Sequence, residues 1–102
     1  MRFDRLTIKA QEAIQSADSI AHRLNHATLD TEHLLLALLD QRDGVIPPLL
    51  SALGVQASAL RSDLERALAG KAKVYGDSSQ TTLSPQANRV LHDAETEAEQ
   101  LK

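Results

Sequence analysis

Between Leu6 and Leu24 the apolar and small residues fall at Leu6, Ala10, Ala13, Ile14, Ala17, Ile20, Ala21 and Leu24. This three-four spacing lines one side of a helix and predicts a first amphipathic element. Thr7 stands where an N-cap is expected, and Asn25 and His26 mark the end. The next stretch, TLDTEHLLLALL at 28–39, offers Asp30 or Thr31 as caps and then becomes almost wholly apolar. It predicts a second helix, running to about Gln41 and buried on nearly all sides, with Leu34, Leu35, Leu36, Leu38 and Leu39 all seeking partners and Gly44 as a stop. Leu35 and Leu38 are expected in the core.

A short third helix fits IPPLLSAL, because proline is tolerated in a first helical turn, and Gly54 followed by Val55 suits a left-handed C-cap with an apolar companion. A fourth helix is expected from Ala57 to Ala69, with Leu60, Leu64, Ala67 and Leu68 on its apolar face and Gly70 at its end. KAKVYGDSSQTT reads as a loop, and Ser84 with Pro85 begins a fifth helix. That last helix repeats the first: a shift of 77 residues lays Leu83 on Leu6, Ser84 on Thr7, Ala87 on Ala10, Leu91 on Ile14, Ala94 on Ala17, Ala98 on Ala21 and Leu101 on Leu24. The expected fold class is all-α. Residues 1–70 form a first four-helix repeat, 71–82 an inter-repeat loop, and 83–102 the first helix of a second, truncated repeat.

Composition narrows the function classes. The 102 residues allow one small domain, 42% hydrophobic and 25% charged, too short for an ordinary nucleotide-hydrolysing domain. A net charge of −3 and only two aromatics, Phe3 and Tyr75, argue against nucleic acid as a partner. Without cysteine there is neither a disulfide framework nor a thiolate metal site, which is compatible with a reducing compartment. The longest apolar run is the six residues Leu34 to Leu39, far short of a membrane span, and MRFD lacks the start of a secretion signal. Cytoplasmic localisation is the default expectation.

Candidate chemistry is sparse. The sequence holds no G-x-S-x-G, no H-E-x-x-H and no G-x-x-x-x-G-K, so catalysis by this chain is not expected. His22 and His26 have the spacing of two ligands on a helical face, but the helix is ending there and no third ligand is fixed. The histidines are therefore read as solvated or capping, with no metal and no cofactor. Asp93, Glu95, Glu97 and Glu99 read as a solvated face.

FDRLT at 3–7, the A-x-x-A-I helix, TEHLLLALL at 31–39 and LLSALGV at 49–55, in this order and with the duplication, resemble the double repeat of the Clp N-terminal domain. That domain begins the ring-forming, ATP-driven unfoldases and disaggregases of the Clp family. Within it, MRFDRLT and KVYG look more like the ClpB disaggregase branch, while TEH is equally at home in the ClpC branch. The resemblance implies a non-catalytic module that recognises unfolded or aggregated polypeptides or adaptor proteins for a hexameric ring. Its ClpC side implies a polar pocket for phosphorylated arginine at Thr7 and Glu32, with Ser84 standing for Thr7 in the second copy. A helix N-terminus offers N–H groups to phosphate and a carboxylate accepts guanidinium N–H bonds, whereas capping and helix-dipole roles alone also account for these residues. The fifth helix, with Leu83, Val90, Leu91, Ala94, Ala98 and Leu101, either docks on the first repeat or associates with another copy as a homodimer or exchanged helix.

Overall fold

The computed structural model describes residues 6–41, 43–74 and 81–101. Phe3 of the FDRLT motif, and Tyr75 and Gly76 of KVYG, lie outside the described residues, as does half of the predicted inter-repeat loop. In chain order the elements are α1 (Ile8–Arg23), β1 (Thr28–Leu29), α2 (Thr31–Asp40), α3 (Ile46–Ala52), α4 (Ala57–Ala69), β2 (Thr82–Leu83) and α5 (Pro85–Gln100). Helices dominate, as the periodicity predicts. The parallel strand pair is the addition.

The helices begin and end for local reasons. Thr7 accepts a hydrogen bond from the Ala10 N–H at 3.1 Å, and Ser84 accepts one from the Ala87 N–H at 3.0 Å, the same N-cap used twice. α1 and α5 are each 16 residues long, with starts at Ile8 and Pro85. Past α1, Asn25 takes a left-handed φ of 61°. The His26 N–H then reaches the Ala21 carbonyl at 2.8 Å and the Asn25 N–H the His22 carbonyl at 3.0 Å. α3 ends in the same way, with Gly54 at φ 79°, Val55 bonded to Leu50 at 2.9 Å and Gly54 to Ser51 at 3.0 Å. Both ends are Schellman motifs, one on asparagine and one on glycine. α2 stops at Asp40, ahead of Gly44.

The core is built on α1 and α2. Ile14, Ala17 and Ile20 pack with Leu34, Leu36 and Ala37, and Leu64 and Leu68 of α4 close the cluster. The alanines on α1 allow close approach of the helices, and Ala17 and Ala21 have no exposed surface. Leu35 and Leu38 depart from expectation: they are half-buried, while Leu34 and Leu36 are buried. A ten-residue helix with five leucines among six consecutive positions cannot turn all of them toward one layer. Ala67, expected on the apolar face of α4, is exposed, and α3 contributes no buried residue.

β1 and β2 pair in parallel, Thr28 with Thr82 and Leu29 with Leu83. The Thr82 N–H donates to Ala27 O at 3.2 Å and the Ser84 N–H to Leu29 O at 2.9 Å. Each strand is a Thr-Leu dipeptide followed directly by the N-cap of a helix, Asp30 in one case and Ser84 in the other. The register therefore sets the starts of α2 and α5 side by side. α5 docks on the preceding helices, with Ala87 fully buried and Leu91 packed against the core, but Val90 and Leu101 remain exposed.

Because Thr7 caps at an exposed helix start and Ser84 caps in the interior, the two substitutions separate. Thr7→Ala is expected to lower stability by about 0.5–1 kcal/mol and Ser84→Ala by about 1–2 kcal/mol, measured by urea denaturation.

Candidate functional site

The side-by-side helix starts converge on Asp30. Its Oδ1 accepts from the Thr31 N–H at 2.8 Å and from the Ser84 hydroxyl at 2.8 Å, and its Oδ2 accepts from Lys71 Nζ at 3.1 Å. A reciprocal capping box completes the start of α2: the Asp30 side chain also receives the N–H of His33, and the Asp30 N–H donates to His33 Nδ1 at 2.9 Å. Histidine takes the place usually filled by Glu or Gln. Burial pushes the Asp30 carboxyl up, but the bonds from Thr31, Ser84 and Lys71 outweigh it, so the group lies below the usual carboxylate range.

Glu32 follows on the first turn of α2. Its Oε2 lies 3.5 Å from Lys71 Nζ, and its Oε1 accepts from the Thr31 hydroxyl at 3.1 Å. Lys71 thus bridges the two carboxylates from the end of α4. Burial disfavours its charge, yet Asp30 and Glu32 raise its pKa above the ordinary lysine value. Glu32 and Thr31 form the polar rim of an open cleft of about 280 Å³, floored by Leu34, Leu35, Leu38, Leu64 and Val90. A second opening, of about 590 Å³, lies on the other side of α5, where Ile14, Asp18, Leu29, Leu83 and Leu91 contribute to its walls. α5 therefore borders two openings with apolar walls.

Of the three residues singled out from the sequence, Glu32 and Ser84 are linked through Lys71 and Asp30. Ser84 is buried, and its hydroxyl joins the α5 cap to the α2 cap. Thr7 stands apart, in a shallow groove with Ala94 and Ala98 of α5. Asp30 was legible as a cap but not as a junction, and Lys71 carried no signal. A lysine 41 residues away in sequence from its partner leaves no periodic trace. The histidines divide. His22 is exposed and lies 3.7 Å from Asp18, whereas His26, expected to be solvated or capping, is buried and bonded to His33 at 2.8 Å. The Schellman turn at Asn25 carries His26 inward, away from the face it would share with His22. Among the described residues no three His, Cys, Asp or Glu side chains stand together as a metal set, and no helix is long and apolar enough to cross a membrane.

Residues 5–102 match the family described as the Clp repeat (R) N-terminal domain. The chain is 38% identical over 100 residues to the chaperone protein ClpB of Pseudomonas putida, covering 98% of this chain and 12% of that protein. It is 43% identical over 84 residues to ClpB of Vibrio vulnificus, covering 82% and 10%. The chain thus spans about one eighth of the length of these relatives. Among solved structures, the N-domain of ClpV from Vibrio cholerae superposes with a TM-score of 0.73 at 19% identity, over 97% of this chain and 55% of that one. A complex of the ClpV N-domain with a VipB peptide superposes at 0.65 and 21% identity, over 97% and 56%. These two likenesses show the shared fold. On the match across nearly its whole length and the identity to ClpB, the chain belongs to the Clp repeat N-terminal domain family.

Proposed function

We propose that this chain is the substrate- and adaptor-recognition domain of a cytoplasmic Clp ATPase chaperone of the disaggregase type, binding misfolded or unfolded polypeptides and delivering them to a hexameric ring. ATP hydrolysis belongs to other parts of the parent protein. The observation that carries the reading is the pair of openings along α5, one of them an apolar cleft with Glu32 at its rim. An extended segment with an apolar residue beside a basic one matches such a cleft, the first by burial and the second by charge. Identity to ClpB and the peptide held by a ClpV N-domain of the same fold support it. Affinity per domain is weak, because a ring that repeats the module multiplies a weak contact.

One observation favours a second, ClpC-type reading. Glu32, at the positive end of α2, already holds a cation, Lys71. Carboxylate and helix N-terminus together suit a phosphorylated arginine, with Glu32 and the nearby Ser84 at one site and Thr7, at the separate start of α1, at another. A third role, association of two copies through the exposed side of α5, rests on Val90 and Leu101.

NMR titration of the labelled domain separates the three. With an unfolded polypeptide, shifts are expected at Leu35, Leu38 and Val90, and Glu32→Gln weakens binding of a basic peptide by up to about fivefold, the worth of a partly exposed ion pair. Shifts at Thr7, Glu32 and Ser84 with free phosphoarginine select the ClpC-type reading. Silence to both ligands, with a sedimentation coefficient that rises with concentration, leaves the association role.

A further inference from the structure

The corner between α1 and α2 contains a buried pair that neither the cleft nor peptide recognition uses. His26 and His33 are 5% and 0% exposed, with ring centroids 5.0 Å apart and planes at 68°. Their protons are fixed by the bonds around them. The Asp30 N–H is a donor, so His33 Nδ1 accepts at 2.9 Å and carries no proton. A neutral His33 then holds its proton on Nε2 and donates it to His26 Nδ1, 2.8 Å away. His26 in turn carries its proton on Nε2, which makes no hydrogen bond of good geometry among the described residues, the Leu68 backbone lying nearby.

Every added proton breaks a link in this chain. On His33 Nδ1 it sets two N–H groups against each other at Asp30; on His26 Nδ1 it does the same between the rings. The neighbours add to the opposition. Burial first, then Lys71 and Lys73, hold His26 below the ordinary histidine value, against the Leu68 backbone. Burial first, then His26 and Lys71, hold His33 down, and Asp30 and Glu32 do not overcome them. Arg23 at the end of α1 and Glu65 of α4 line the space beside His26. The Asp30 carboxylate is already engaged by Thr31, Ser84 and Lys71.

We propose that the His26–His33 pair is an acid-sensitive latch: neutral, it holds the corner where β1 leads into α2, and a proton on either ring releases α5 from that corner. The coupling is mechanical. His33 holds the backbone of Asp30, the carboxylate of Asp30 holds Ser84, and β1 just before it holds β2. The sign follows from the burial of neutral rings: the open chain takes up protons once pH falls below about 6.5, while the closed corner resists. The latch is at full strength above that pH and weakens as pH falls, the opening equilibrium rising up to about tenfold per pH unit for each ring.

The test follows the ring nitrogens and amide exchange of the domain from pH 7.5 to 5.5, corrected for intrinsic exchange. The expected result is Nε2–H neutral rings at pH 7.5, and opening at Ala87 and Asn88 that rises up to about a hundredfold per pH unit below 6.5, about tenfold for each ring, while Ala17 and Ala21 stay protected. His33→Gln keeps an acceptor for Asp30 and removes one titrating ring, so its opening loses about tenfold per pH unit of that dependence. Should that variant fail to fold, ring titration and exchange in the wild type decide. Both rings titrating near 6.5 in the folded domain would overturn the proposal, as would α5 and α1 amides losing protection together.

Discussion

Leu68→Ala is expected to lower the unfolding free energy by about 2–5 kcal/mol, which in a domain of this size is a large share of the total. Leu68 is 2% exposed and is the largest fully buried apolar side chain among the described residues. It joins α4 to the α1–α2 layer, and its backbone lies beside His26, so the corner beneath cannot readily collapse into the space left. Leu35→Ala, on the half-buried cleft floor, removes the same atoms and is expected to cost about 1 kcal/mol, since water already reaches part of the side chain. Urea denaturation of the two variants at neutral pH makes the comparison. Equal losses would place Leu35 in the core and remove the cleft as a binding surface.

Asp30→Ala is expected to lower stability by about 2–4 kcal/mol, combining a lost N-cap with lost charge-assisted hydrogen bonds in a largely buried site. One substitution takes the cap from α2, the acceptor from Ser84 and a counter-charge from Lys71. Asp30→Asn, which caps well but carries no charge, recovers a substantial part of the loss. The pH dependence has a definite sign. The carboxyl is held below its usual range in the folded chain, so its stabilisation is present above about pH 4 and is lost as pH falls through the folded value. The histidine latch weakens at higher pH, below about 6.5, and so acts in a separate window. Denaturation of wild type and Asp30→Ala between pH 3 and 7 checks this: the difference between them should shrink toward the acid end.

Much of the site was legible only as local structure. Asp30, Thr7 and Ser84 are recognisable caps because an N-cap is set by three or four neighbouring residues, and the termination of α1 at Asn25 is likewise local. The histidine at the third position of α2 could have been read as a capping-box partner, since it stands three residues after Asp30. That its far nitrogen meets His26 depends on where a left-handed turn points the chain. The strand pair left a signal too, in two Thr-Leu dipeptides each preceding a cap, but two-residue strands have no periodicity to detect.

By itself the sequence determined the helices, their ends and the likeness of α1 to α5, because periodicity, caps and helix-ending residues act within a few positions of one another. Tertiary structure alone decided which side of each helix is covered. Ala17 and Ala21 of α1 are fully buried, whereas their counterparts Ala94 and Ala98 in α5 are exposed, and Ala87 is fully buried where Ala10 is only partly so. The same pattern of small residues thus has opposite fates. Burial depends on what packs against a face, and among the described residues α2 lies along α1, while α5 meets the rest of the chain chiefly at its start, where Asp30 and Ser84 join.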